Sequence, residues 1–298
     1  MPDSMDLTGL DISPSGGGVG AFVNDIDLRA IGAGEAAAIR MALGRHGVLF
    51  FRDQQLDPDA HIAFARKIGA ININRFFRPT ETHPEVATVL KEPDQKHNIG
   101  GGWHADHSYD EAPALGSILV AVEIPPFGGD TLFAGASAAW ETLSGGMKKM
   151  LSGLRAVHSS RHTFGKDAGA RNAEIQAEHF GNAELATQDS VHPVVIRHPI
   201  SGRPALYVNP GFTLRFDGWT DAESKPLLDY LYGHVVKPEH TYRFRWEPGS
   251  VAFWDNRATW HYALNDYHGH RRLMHRITLE GETLDAAQNG APERASAA

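Results

Sequence analysis

The chain has 298 residues, 42% of them apolar, enough to bury a sizeable core, and a formal net charge of -8. That balance, without any concentrated run of Lys and Arg, argues against a nucleic-acid partner or an anionic membrane surface. There is no cysteine, which excludes disulfides, thiolate zinc sites, iron-sulfur clusters and a cysteine nucleophile, so any metal must be held by nitrogen and oxygen.

No stretch approaches the ~18 apolar residues of a membrane helix, and the start "MPDSMDLTGLDIS" lacks the basic and apolar regions of a secretory signal. A cytoplasmic location is the expectation. No repeat or Pro/Ser-rich linker divides the chain, so residues 1–298 are read as one domain with flexible ends at 1–16 and 284–298. The segment "EAAAIRMALGRHG" has helical spacing, and "VLFFRD" is a short apolar run that suits a buried strand. In "LDPDAHIAFARKIG", Asp57 is placed to cap a helix, Pro58 fits its first position and Gly69 marks its end. Beyond residue 115 the pattern turns to strands, in "GSILVAVEI", "VHPVVIRHP", "PALYVNP", "YRFRWEPGSVAFWD" and "RRLMHRITLEG", with helices in "AGASAAWETL", "GGMKKMLSGL" and "DAESKPLLDYLYGHV". The fold class is therefore mostly β with flanking helices, a sandwich or jelly-roll barrel and not the regular βα alternation of a Rossmann sheet.

The stretch "GGGWHADHSYD" carries the first chemical signal. In an extended chain His104 and Asp106 point the same way, with Cβ atoms roughly 6.5 to 7 Å apart, close enough to share one ion. A second histidine would complete a two-histidine, one-carboxylate set that leaves adjacent metal positions open. His261 is its natural source, with His107, His268, His270 and His275 as competitors by residue type. In "RRLMHRIT", alternation puts Arg272, Met274, Arg276 and Thr278 on one face and Leu273, His275 and Ile277 on the other. Two guanidiniums inside a barrel make sense if anions bind there; on a solvated edge strand they would pair with surface carboxylates.

Taken in order, "WHAD", "GGDTLFA", "HPVV", "HPISG", "YVNPGF", "WDNRATWHYALNDY" and "RRLMHR" resemble the taurine dioxygenase (TauD/TfdA) family of iron(II), 2-oxoglutarate-dependent dioxygenases, from about residue 17 to residue 283. The resemblance implies a double-stranded β-helix, a jelly roll of the cupin type. It implies that His104, Asp106 and His261 bind Fe(II), that Thr131 and Arg272 hold the distal carboxylate of 2-oxoglutarate, and that Trp254 lines this pocket. Arg276 would hold the anionic group of the primary substrate, flanked by Phe164 and Phe212, with Thr163 as a hydrogen-bond donor. The implied reaction consumes O2, converts 2-oxoglutarate to succinate and carbon dioxide, and hydroxylates a small anionic substrate: a sulfonate, sulfate ester, carboxylate or aryloxy acid. Family members assemble as dimers or tetramers, which makes a homo-oligomer the expectation.

Three departures point away from taurine. Where the taurine enzyme grips its substrate with a histidine, a tyrosine and an asparagine, this chain has residues near Asn74, Phe77 and Gly100. Asn74 is carried as a substrate contact, and Arg78, Arg161 and His162 as groups that rebuild polar contacts. The alternatives are a dioxygenase acting on an amino-acid-derived carboxylate without heteroatom release, a zinc hydrolase on the same triad, and a non-catalytic jelly-roll binding protein.

Overall fold

The computed structural model describes residues 9–77, 79–80, 82–165, 180 and 182–287. The chain begins with strands β1 (Asp11–Pro14) and β2 (Ala21–Asn24), helix α1 (Ala33–His46), strand β3 (Val48–Phe51) and helix α2 (Pro58–Ile68). Strands β4 (Ile71–Asn72), β5 (Ala87–Lys91), β6 (Gly116–Glu123) and β7 (Thr131–Gly135) follow, then helices α3 (Ala136–Thr142) and α4 (Gly145–Leu151). Next come β8 (Arg155–Ser159), the single turn α5 (Arg161–Phe164), β9 (Asp189–Pro193), β10 (Val195–Arg197), β11 (Pro204–Leu206) and β12 (Thr213–Phe216). Helix α6 (Asp221–Val235) leads into β13 (Thr241–Phe244), β14 (Val251–Asp255), β15 (Thr259–Ala263) and β16 (Arg272–Leu279).

Most of these elements follow from local chemistry. Helix α2 starts because the Asp57 carboxylate accepts from the Ala60 amide at 2.8 Å and Pro58 is already at a helical φ. Helix α6 carries a capping box, with Thr220 and Glu223 each bonding the other's backbone amide.

The main sheet has the order β1-β2-β3-β14-β6-β16-β4, with β5 also pairing to β16. Neighbours are antiparallel except β2 and β3, which run parallel. A second sheet, β13-β7-β15, is accompanied by β12-β8-β9 and the β10-β11 pair. Residues of the main sheet alternate between two cores. Leu49, Phe51, Ile118, Phe253 and Ile277 pack against α1 and α2, whereas Val48, Phe50, Leu119, Trp254 and Met274 pack with Phe133 and Phe244 of the second sheet. Burial on both faces is why these strands read as continuous apolar runs. Phe50 and Phe244 stack with centroids 4.3 Å apart, joining the two sheets within this core.

The ends depart from expectation. Residues 11–14 are a strand paired to β2 and not a frayed terminus, because Asp11 to Pro14 find main-chain partners in Asn24 to Ala21. Near the other end, Ala287 N donates to Val195 O and Arg197 N to Asp285 O, so residues 284–287 dock on β10. Residues 1–8 and 288–298 lie outside the described residues, as does Arg78. Among the described residues no helix is long and apolar enough to cross a membrane.

Candidate metal centre and its cavity

His104 meets His261 of β15 through an isolated β-bridge. His104 N donates to His261 O at 3.1 Å and His261 N to His104 O at 2.9 Å, a reciprocal antiparallel pair that sets both side chains on one face. Their ring centroids lie 4.1 Å apart. Two residues on, Asp106 turns its carboxylate to the same spot. Its Oδ1 is 3.5 Å from His104 Nε2 and its Oδ2 is 3.5 Å from His261 Nε2. One ligand atom from each of the three lies within 4.8 Å of the others, the one such cluster among the described residues. Beyond Asp106 the extended reading stops: residues 106–109 form a turn in which His107 adopts φ 60°.

The donor set is prepared for a cation. His104 Nδ1 lies 2.8 Å from the Gly102 carbonyl, which fixes the proton on Nδ1 and leaves the Nε2 lone pair facing Asp106. Burial, with His104 adding, pushes the His261 pKa well below its ordinary value and keeps the imidazole neutral. For Asp106, burial acts to raise the pKa but is outweighed chiefly by the Arg276 guanidinium, so the carboxylate stays ionised. Arg276 Nη2 donates to Asp106 Oδ2 and to Ser117 Oγ, both at 2.8 Å.

These groups open into a cavity of about 580 Å³, within the usual range for small-molecule sites. Arg272 and Arg276, on β16, both line it and are 4% and 5% exposed, which settles the face question in favour of the interior. A bulge lies between them in the pairing with β6: Leu273 pairs with Glu123 and Met274 with Ala121, leaving Val122 of β6 as the extra residue. Arg272 Nε and Nη2 have no hydrogen-bond partner, and burial lowers its pKa. A buried guanidinium with unmatched donors beside a metal-type triad fits an anionic ligand.

Thr131, at the start of β7, lines the same cavity and accepts from Trp246 Nε1 at 3.0 Å. Trp254 is a wall: its ring lies 4.6 Å from that of His261, while its Nε1 is committed to Asn256 Oδ1. Phe164 and Phe212 line the opposite side within an aromatic group that includes Phe76 and Tyr109. Thr163 reaches the cavity, but its hydroxyl donates to Gly211 O at 3.0 Å instead of pointing free. His162 also lines it, whereas Arg161 is turned outward to Asp189.

Asn74 is not brought to the cavity. Its Oδ1 accepts from the Phe76 and Phe77 amides and its Nδ2 bonds His107 Nε2 at 3.1 Å, so it braces the loop that presents Phe77. The competing histidines are accounted for similarly. His107 turns to Asn74 and Asp110, His275 faces away from Arg272 and Arg276 on β16, His268 is exposed, and His270 packs edge-on to Phe127.

Sequence reasoning missed Trp246, which touches both Thr131 and Arg272, and Gly211. Trp246 continues the alternation of Phe244 beyond the end of β13, a weak but legible signal. At Gly211 a Cβ would come within 2.7 Å of His104 Cβ, a close approach that no local pattern announces.

A two-histidine, one-carboxylate cluster opening on a cavity with two interior arginines is a candidate site for a divalent metal beside an anionic ligand. Comparison with known proteins narrows the class. Residues 11–278 match the model of the "Taurine catabolism dioxygenase TauD, TfdA family". The chain is 37% identical to an alpha-ketoglutarate-dependent sulfate ester dioxygenase of Pseudomonas putida, over 92% of this chain and 90% of the relative. It is 35% identical to an alkylsulfatase of Acinetobacter baylyi, over 91% and 85%. Among solved structures, a taurine dioxygenase from Burkholderia xenovorans superposes with a TM-score of 0.78 at 35% identity, covering 93% of each chain. The chain belongs to the TauD/TfdA family, and it is a 2-oxoglutarate-dependent dioxygenase, an oxidoreductase.

Proposed function

We propose that this dioxygenase uses iron(II) to hydroxylate a small anionic compound other than taurine, with sulfate esters and sulfonates first among the candidates and carboxylates or aryloxy acids next. The observation that carries the reading is that Arg272, with unmatched guanidinium nitrogens, and Thr131 reach the same cavity as His104, Asp106 and His261. A zinc hydrolase on this triad needs no such grip on a dicarboxylate.

When bound, iron would supply the hydroxylating chemistry, with O2 as the oxidant and 2-oxoglutarate as the electron donor. The protein supplies its geometry. His104, Asp106 and His261, whose ligand atoms converge on one spot at the cavity wall, would hold the metal. Arg272 and Thr131 anchor the far carboxylate of 2-oxoglutarate, and Trp254 walls its chain. Arg276, beside Asp106, meets the substrate's anionic group, while Phe164 and Phe212 cover its carbon skeleton and exclude water. Hydroxylation at a carbon bearing a sulfate or ether oxygen gives a product that collapses to a carbonyl and releases the anion.

Phe77 and Gly100 at the cavity wall support a larger and less polar substrate than taurine, and the sulfate-ester relatives support the same choice. On this reading the facing sheets form a double-stranded β-helix of the cupin type within one domain, located in the cytoplasm and assembled as a homo-oligomer.

The test is an anaerobic titration of metal-free protein with iron(II) and then 2-oxoglutarate, followed by succinate release with alkyl sulfates, sulfonates, aryloxyacetates, amino-acid-derived carboxylates and taurine. A visible charge-transfer band that disappears in His104→Ala, with stimulation by a sulfate ester and not by taurine, is the expected result. Metal binding without the band would remove the cosubstrate assignment; stimulation by taurine would remove the substrate assignment.

A further inference from the structure

We infer that Trp246 is a cosubstrate-positioning residue, which fixes the Thr131 hydroxyl as a hydrogen-bond donor aimed at the terminal carboxylate of 2-oxoglutarate. The inference rests on the reading of Thr131 and Arg272 given above. Trp246 is 5% exposed and does not line the cavity, so it acts through its neighbours. Its ring is held edge-on by Phe244, with centroids 4.8 Å apart and planes at 80°. From that position it makes two contacts. The indole Nε1 donates to Thr131 Oγ1 at 3.0 Å, and the Arg272 guanidinium carbon lies 5.7 Å from the ring centroid.

The chemistry of the pair is one-directional. An indole N–H can only donate, so Thr131 Oγ1 must accept from it. A hydroxyl has one proton to give, and with this lone pair occupied that proton is turned toward other acceptors. Thr131 faces the cavity that Arg272 also lines, and Arg272 brings two unmatched donors. An ionised carboxylate only accepts. All three donors are thus arranged before the ligand arrives, which lowers the ordering cost of binding it.

Trp246→Phe keeps an aromatic ring near Arg272 but removes the N–H together with one ring of the indole, so the comparison in the Thr131→Val background separates the lost hydrogen bond from the lost volume. In calorimetric titrations of oxygen-free, metal-loaded protein, it is expected to weaken 2-oxoglutarate binding about threefold to tenfold, the range of one neutral hydrogen bond. Thr131→Val should weaken it further, and adding Trp246→Phe to Thr131→Val should weaken it no more, with metal affinity unchanged throughout. An equal penalty in both backgrounds, or none in either, overturns the role of Trp246 and leaves the cosubstrate site standing. If Thr131→Val leaves affinity unchanged, the assignment of Thr131 itself falls. Should Trp246→Phe not fold, the indole N–H resonance of Trp246 provides a second reading: it should move when Thr131 is replaced by Val, and a stationary resonance overturns the inference.

Discussion

Asn74 shows how a polar residue near a site can serve the scaffold instead of the ligand. Both of its acceptor directions go to the Phe76 and Phe77 amides, and its amide nitrogen reaches His107, which in turn bonds Asp110 Oδ2 at 2.9 Å. Arg75 pairs with the same Asp110, so four side chains tie the 74–77 segment to the turn that follows Asp106. Asn74→Ala is expected to lower stability by about 1 to 3 kcal/mol, the cost of leaving half-buried amides unmatched, as measured by urea unfolding. Asn74→Asp keeps the acceptor and should lose less. If the amide instead gripped substrate, both variants would lose substrate affinity equally and unfold like the parent.

At the scale of elements, the site is a meeting of the strand-like segment around His104 with β15, and Gly211 is what lets a third segment close on it. Asn209 Oδ1 accepts from the Gly211 and Phe212 amides, and its Nδ2 donates to Ser108 Oγ, which also lies 3.1 Å from His158 Nδ1. This buried polar group holds the 209–213 loop against the Asp106 turn, and no room remains for a methyl at Gly211. Gly211→Ala should therefore displace His104 and weaken metal affinity about 10- to 100-fold, the usual effect of disturbing a ligand's support, with the fold intact by circular dichroism. Equilibrium dialysis against iron(II) or manganese(II) decides it; unchanged affinity would mean the loop yields and His104 does not. Little of this was legible in the sequence. The ends of α2 were, because Asp57, Pro58 and Gly69 act locally, and so was the grouping of Arg272, Met274 and Arg276 on one face of β16, because alternation decides it; which face turns inward was not, because that depends on the sheet packed against it. The placement of β14 between β3 and β6, the parallel β2–β3 pair and the bulge at Val122 depend on contacts distant in sequence. The strand at residues 11–14 was misread because its short polar composition resembles a loose end until β2 pairs with it.

For the whole molecule, the buried histidines are expected to set the acid limit of stability. His61, on the inner face of α2, is 1% exposed, and burial, with His275 adding, pushes its pKa down to about 3. Burial also pushes His158 and His261 well below the ordinary value. A histidine held neutral in the folded state contributes stability that is complete above the unfolded pKa of about 6.5 and declines as the unfolded chain takes up the proton below it. The slope from one such group is about 1.4 kcal/mol per pH unit, and for His61 it continues down to its folded value. Lowering the pH from about 7 to about 5 should then remove roughly 2 kcal/mol through His61 alone, with His158 and His261 adding to it. His61→Leu keeps an apolar group at the position and cannot take up a proton. Urea unfolding of the metal-free protein at the two pH values is expected to show a steep loss for the parent and a loss smaller by about 2 kcal/mol for the variant. Equal losses would place the acid sensitivity of this range in the other buried histidines, His158 and His261, because the carboxylates of the buried pairs Asp106 with Arg276 and Asp255 with Arg257 are held below their ordinary values and give up stability only at still lower pH.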